Sequence, residues 1–307
     1  MDTDRGPALS GNTLRFAHLS DLHLPHEPRL TPAEHFSKRQ LSVWSWRRRR
    51  SVQSPAVLAA LYADMVSHHP DRILVTGDIT NFSLPEEFTA AAHWLEGLPV
   101  PVSIVPGNHD ALVRVPHAAG WGKLDRWSAT GGEWPFVHRH GRASFIGLSS
   151  ALPTAPLLAS GRLGATQCRR LAQLLAQECA AGQLRILMLH HPVADGVVTA
   201  RKALRDRREL RAVLREQGAS LVLHGHARNA RLDALKGPSG PIPSLCVPSS
   251  TALPNPHDEA ARWHLVELPP QAGGWARVLV RQWQSGAGTA GEGGFIDAAR
   301  YELRLGP

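Results

Sequence analysis

Five short polar clusters follow one another along the chain: Asp21-Leu22-His23, Gly77-Asp78, Gly107-Asn108-His109-Asp110, His190-His191-Pro192 and His224-Gly225-His226. They supply carboxylate oxygen, amide oxygen and imidazole nitrogen, the ligands that hard or borderline divalent ions accept. Two such ions ~3.5–4 Å apart can activate a water and hold the attacked and leaving oxygens of a phosphate. Keeping the ions that close needs a bridging carboxylate, and Asp78, set after a glycine turn, is the natural candidate. Singly each cluster is weak, because DxH, GD and GN recur by chance and a lone histidine is more often packed or solvated. Their order and the rarer GNHD and HHP strings carry the reading.

The elements that must position these clusters are hydrophobic runs, and all but the one at 143–148 end at one of them. Strands are expected at 14–20, 73–76, 102–105, 143–148, 184–189 and 221–223. Helices are expected from Pro55, with Ser54 as N-cap, at 85–95, 166–179 and 207–217. The last third turns to strands at 242–247, 263–268, 275–280 and a short 301–305, with the glycine-rich 286–294 as a loop. Alternation of strand and helix predicts an α/β fold of sheets covered by helices. In open sheets of that kind ligands sit beyond the carboxyl ends of the strands, so the five clusters fall on one rim. Two segments break the rhythm, 24–51 and 114–142, and both are expected to overhang the site as loops or short helices.

At 307 residues, 43% of them hydrophobic, the chain can bury a sizeable core; one domain spanning 1–307 is expected, with its core at 14–268. The net charge of +8 is almost all arginine, because only Lys38, Lys123, Lys202 and Lys236 are lysines. Guanidinium makes planar, bidentate contacts to phosphate, so an anionic substrate or surface fits, though an ordinary arginine-rich surface has the same composition. Cys168, Cys179 and Cys246 show no CxxC spacing and read as free thiols in a reducing compartment. The opening MDTDRGPALSGN lacks the layout of a signal peptide and no apolar run approaches ~20 residues, so a soluble, cytoplasmic protein is expected.

With the clusters in place, the chain resembles the calcineurin-like metallophosphoesterases, whose pattern is DxH…GD…GNH(D/E)…H…GHxH, over about residues 14–268. The resemblance implies a four-layered α/β/β/α sandwich, two divalent ions (manganese, iron, zinc or magnesium), and attack of a metal-activated hydroxide on a phosphodiester or pyrophosphate. Carried over by residue, it implies Asp21 and His23 as ligands of the first metal, Asp78 as the bridge, and Asn108, His190 and His226 as ligands of the second. It implies that His109 contacts phosphate and protonates the leaving oxygen, with Asp110 orienting it. His191 is taken as a substrate contact.

One position departs from the pattern: GHxH is here Gly225-His226-Ala227-Arg228. Guanidinium stays protonated and has no lone pair for a metal. Three readings stay open: the first metal takes fewer protein ligands, His257 or His18 fills in, or Arg228 clamps phosphate directly. A degenerate member that binds phosphate without turnover is the rival to an enzyme.

Small bacterial phosphodiesterases with this N-terminal pattern act on cyclic nucleotides, glycerophosphodiesters or nucleotide-linked pyrophosphates. The insertion after DxH combines Lys38-Arg39 with Trp44-Ser45-Trp46 and Arg47 to Arg50, and is similar to that of the UDP-2,3-diacylglucosamine hydrolases. It suits a lipid-linked substrate and peripheral contact with an anionic membrane face through 38–50, and equally a solvated basic helix. A second basic stretch, 201–215, interleaves with Glu209 and Glu216, so part of it is ordinary helix pairing. No DNA-binding module is evident, and nucleic acid is not an expected partner.

Overall fold

A computed structural model describes residues 13–49, 51–269, 274–286 and 292–306, without the Arg49 side chain. Arg50 of the basic block, residues 1–12 and residues 287–291 of the glycine-rich stretch lie outside the described residues.

Short, largely buried runs of three to six residues make the central strands. β1 (Arg15–Leu19), β2 (Arg72–Val75) and β3 (Val102–Ile104) pair in parallel, and β10 (Arg262–Glu267), β11 (Trp275–Ser285) and β12 (Gly293–Arg304) extend that sheet antiparallel from β1. The second sheet runs in the order β4 (Phe136–His140), β5 (Ala143–Gly147), β6 (Leu184–Met188), β7 (Leu221–His224), β9 (Pro241–Cys246) and β8 (Arg231–Lys236). Its middle strands are parallel and its two edges antiparallel.

Strand alternation then decides the layers. From β1, Phe16 faces the second sheet, where it meets Phe145 edge-on with ring centroids 5.7 Å apart, while Ala17 and Leu19 face outward. The outward face is covered by α2 (Pro55–Ser67) through Val57, Leu61 and Met65, and by α3 (Pro85–Glu96) through Phe88, Ala91 and Leu95. α4 (Ala165–Ala180) and α5 (Arg207–Gln217) cover the other sheet through Leu171, Leu175, Leu210 and Leu214. Each such leucine, fully withdrawn from water, contributes about 1.5–3 kcal/mol. The expected four layers are therefore present.

The misses are edge elements. β4 and β8 were not expected, and β12 begins well before residue 301. All three are edge strands that bury only one or two apolar residues each, Phe136 on β4, Leu235 on β8 and Phe295 and Leu303 on β12, so they carry no clear alternation. Ser54 occupies the N-cap of α2 but makes no side-chain cap bond. The segment 24–51 forms α1 (Lys38–Arg49), and 114–142 forms 3-10 turns leading into β4.

Two basic residues pin α1 down. Arg39 is buried and donates to the Phe82 and Ser83 carbonyls at 2.9 and 2.5 Å and to Glu34 at 2.5 Å. Lys38 donates to Thr154 Oγ1 and the Leu158 carbonyl at 2.7 and 2.8 Å. Val43, Phe82, Leu84 and Leu112 form a small core beneath it.

Candidate metal centre

The turns that follow β1, β2 and β7 are tight and left-handed. Asp21, His23, Asp78, His226 and Arg228 all have positive φ, between 42° and 67°. Such backbone costs a non-glycine residue about 1–3 kcal/mol and persists where its surroundings over-determine it. Asp21 N–H donates to the Gly77 carbonyl and His23 N–H to the Asp78 carbonyl, each at 2.9 Å. Glycines let the loops close: a Cβ on Gly107 would lie 2.2 Å from Asp78 Oδ1, and one on Gly225 would lie 1.8 Å from Ser20 Oγ.

Backbone carbonyls then fix the imidazoles. A carbonyl can only accept, so the ring nitrogen facing it carries the proton. His190 Nδ1 donates to the Thr76 carbonyl at 2.8 Å, and His226 Nε2 to the Lys202 carbonyl at 3.1 Å. The lone pairs of His190 Nε2 and His226 Nδ1 consequently face each other at 3.1 Å. Asn108 Oδ1 and Asp78 Oδ2 stand 3.2 and 3.3 Å from the same His190 nitrogen. Acceptors crowded this way need a cation among them, and the mixed N/O set fits a divalent metal.

A second convergence adjoins the first. His23 Nδ1 donates to the Thr80 carbonyl at 3.2 Å and His109 Nδ1 to the Asn81 carbonyl at 2.8 Å. Their rings meet edge-on at 4.7 Å, and His23 Nε2 is 4.0 Å from Asp78 Oδ2. One ligand atom from each of His23, Asp78 and His109 falls within 4.8 Å of the others, as does one from each of Asp78, His190 and His226. Asp78 belongs to both groups, where a bridging carboxylate belongs.

The electrostatics agree. Burial raises a carboxyl pKa, yet the neighbouring His190 and His109 hold Asp78 well below the usual range. Burial opposes a charge on His190, but Asp78 and then Asp21 override it and push its pKa up to about 9. A proton thus occupies in the bare chain the place that a cation would take. Burial, with His109 beside it, lowers His23 to about 3. Burial, with His191 and His190 beside it, holds His226 well below the usual range.

Other expected residues stand differently. Asp21 Oδ2 accepts from Ser20 Oγ at 2.6 Å and from His226 N–H at 3.1 Å, which places it beside the ligand groups without joining either triplet. Burial and then the Asp78 charge raise its pKa. The expectation that Asp110 orients His109 is corrected. Its carboxylate accepts from Gly107 N–H, Thr80 N–H and Thr80 Oγ1 at 2.8, 2.8 and 2.9 Å, so it ties two loops together, while the Asn81 carbonyl orients the ring. Burial, then Asp78, pushes Asp110 up to about 6. His191 as a substrate contact is also corrected: it is fully buried, with its ring nitrogens on Ser150 Oγ and the Ala159 carbonyl.

Among the described residues neither His18 nor His257 joins a ligand group. His18 is buried against Thr76 Oγ1 at 3.0 Å, and His257 is exposed. Arg228 pairs with Asp258 at 3.4 Å and lines a cavity of about 100 Å³ together with His23 and His109. In the second basic stretch Arg207 and Arg211 pair with Asp195, and Arg205 with Ser160.

Several supporting residues escaped sequence reasoning. Glu87 accepts from the N–H groups of Asn81, Phe82 and Leu84 at 2.7–2.9 Å, fixing the loop whose carbonyl holds His109. Ser249 Oγ donates to the Asp21 carbonyl at 2.7 Å and Thr251 Oγ1 to the Leu22 carbonyl at 2.9 Å. Glu87 stands at the third position of α3, where a glutamate is a recognised capping signal, whereas Ser249 and Thr251 bond to backbone and leave no spacing signature.

Layered sheets with an N/O donor set at their strand ends form the kind of centre that metal-dependent phosphoester hydrolysis requires. The chain belongs to the calcineurin-like phosphoesterase family, whose sequence model matches residues 14–227. A probable cyclic nucleotide phosphodiesterase of Synechococcus sp. is 28% identical over 266 residues, 86% of this chain and 90% of the relative. A 3',5'-cyclic-nucleotide phosphodiesterase of Nostoc sp. is 28% identical over 159 residues, 51% of this chain and 55% of the relative. A dimetal phosphatase from Danio rerio shares the fold, with a TM-score of 0.54 at 14% identity, covering 95% of this chain and 98% of the other. No helix among the described residues is long and apolar enough to cross a membrane.

Proposed function

We propose that the chain hydrolyses a phosphodiester bond of a nucleotide, a cyclic nucleotide in the first instance. The observation that carries the hydrolytic reading is the meeting of two donor groups at Asp78, with His190 and His226 turned lone pair to lone pair. The nucleotide reading is supported by what the two cyanobacterial relatives are named.

In this reading Asn108, His190 and His226 hold one divalent ion, Asp21 and His23 hold the other, and Asp78 holds both. Bound ions supply Lewis acidity at phosphorus and a nucleophilic water at neutral pH. The chain's own residues do the rest. The Thr76, Thr80, Asn81 and Lys202 carbonyls fix four imidazole tautomers before substrate arrives. His109, with Nδ1 held by Asn81, keeps Nε2 on the cavity side and delivers a proton to the leaving oxygen. Arg228, on the same cavity, offers planar donors to a phosphate oxygen.

The test is manganese stoichiometry followed by turnover of 3',5'-cyclic AMP. Two ions per chain with turnover support the reading. Phosphate binding without metal-dependent turnover replaces it with a degenerate binding protein.

A second reading, a lipid-linked nucleotide such as UDP-2,3-diacylglucosamine met at an anionic membrane face, has one observation in its favour. Phe36, Leu41 and Trp44 are exposed at 95%, 41% and 55% on the insertion, beside exposed Arg47 and Arg48. Against it, Lys38 and Arg39 of the same block anchor the insertion to the body instead of facing outward. Sedimentation with anionic vesicles, lost on replacing Trp44 and Phe36 by serine, would favour this reading over the first.

A further inference from the structure

We infer that the hollow beside the metal centre is a nucleobase subsite, with the Trp46 ring as its stacking face and the Gln53 carboxamide as the group that reads the base edge. The inference rests on the phosphodiesterase reading above and adds to it how the substrate is chosen.

Two cavities meet at the centre. The smaller, about 100 Å³, takes in His23, His109 and Arg228; the wider, about 530 Å³, runs out past Pro25, Glu27 and Pro55. His23, Trp46, Gln53 and Asn81 line both. A phosphate held at the metal centre therefore has room for its ester group in that direction, between Trp46 and Gln53.

Both walls are firm. Trp46 stands on α1, which Arg39 and Lys38 lock to the body, and its ring meets Phe82 edge-on at 5.9 Å and 80°. Gln53 sits on a strand-like bridge to Ala252, flanked by Leu253 N–H to Val52 carbonyl at 2.7 Å and Ser54 N–H to Thr251 carbonyl at 3.4 Å. Thr251 in turn bonds the Leu22 carbonyl of the first motif, so the wall is tied to the metal loop itself. The Gln53 carboxamide makes no hydrogen bond among the described residues.

The chemistry of the walls selects a planar, edge-polar group. An indole face gains most from a second π-system. A carboxamide presents a donor and an acceptor side by side, the pattern that pairs bidentately with a base edge. A glycerol ester would use neither wall, and an acyl chain would cover the Gln53 amide without pairing it.

The experiment compares AMP with ribose 5-phosphate, which share the phosphate and ribose and differ by the base. Both are titrated calorimetrically into the full chain loaded with manganese. AMP is expected to bind at least about tenfold tighter, the span of one base–aromatic stack. In Trp46→Ala that ratio falls to within about threefold while ribose 5-phosphate binds as before, and in Trp46→Phe most of the ratio returns. In Gln53→Ala only AMP weakens. A ratio near unity in the unaltered protein overturns the subsite and leaves the metal–phosphate reading standing. Equal loss of both ligands in Trp46→Ala, with Trp46→Phe restoring both together, makes Trp46 a scaffold and overturns the subsite as well. Failure of both ligands to bind the metal-loaded chain overturns both readings.

Discussion

The proton that His190 carries in the bare chain makes metal affinity a steep function of pH. His190 is fully buried, with Asp78 Oδ2 3.3 Å from its Nε2, and the carboxylates beat burial to set its pKa at about 9. A metal binds only the neutral ring, so at pH 7 it must displace a proton held about two units above ambient. Two units correspond to about 3 kcal/mol, or about a hundredfold in apparent affinity. The sign follows. Below pH 9 the ring is charged, so affinity rises about tenfold per unit from pH 7 towards 9 and levels off beyond it. Asp78, held low, is already ionised there, and His23 and His226, held low, are already neutral, so none of them adds to the slope. Calorimetry with manganese at pH 6.5, 7.5 and 8.5, in buffers of different ionisation enthalpy, counts the released protons. Close to one proton per chain is expected for the ion at His190, and His190→Asn, which cannot titrate, should release none there. PH-independent affinity without proton release would refute the electrostatic account of the site.

Replacing Asp78 with asparagine should reduce bound manganese from two ions to one at most and lower turnover by at least about a thousandfold, measured by elemental analysis and initial rates. Replacing His109 with asparagine should lower kcat by about a hundredfold or more with both ions retained; loss of an ion would instead make His109 a ligand, as its place beside His23 and Asp78 permits. Arg39→Met strands two buried carbonyls and Glu34, costing about 2–4 kcal/mol, and should appear as faster hydrogen exchange across residues 38–49 before any global unfolding. Arg228→His completes the family pattern and should tighten the weaker manganese step while loosening inorganic phosphate; no change in either would assign Arg228 to its pair with Asp258 alone.

The central strands and the polar clusters at their ends were legible because one physical requirement wrote both. A strand buried on two faces must be continuously apolar, and a cation site must be polar, so each cluster stands out where a run such as Ile73-Leu74-Val75 meets Gly77-Asp78. Edge strands carry no such contrast. In β12 the side chains of Arg300, Glu302 and Arg304 meet solvent, and only Phe295 and Leu303 are buried in the body beside the ladder to β11. Roles set by direction were equally hidden. Asp110 and His191 have the right types in the right motifs, yet one carboxylate turns to the amides of Gly107 and Thr80 and one ring turns into the body against Ser150. The basic block misled for the opposite reason. Lys38 and Arg39 look like a surface for anions, but carbonyl oxygens of the neighbouring loops are also anion-like partners, and those loops lie closer.

Arg228 is where the chain departs from the family pattern, and its backbone shares the left-handed turn of His226. Its φ of 64° follows that of His226, 67°, in the same left-handed turn, and His226 N–H still reaches Asp21 Oδ2 at 3.1 Å. The strained turn is therefore held by hydrogen bonds from the loop itself and does not depend on an imidazole at residue 228. That independence lets the side chain change character without dismantling the neighbouring groups. A guanidinium in that position adds fixed positive charge to the cavity shared with His23 and His109, and Asp258 at 3.4 Å holds it at the cavity wall. Positive charge beside a metal position weakens cation binding and strengthens binding of the anion that a metal would attract. In the proposed reading Arg228 would therefore share in holding phosphate, beside the group formed by Asp78, His190 and His226.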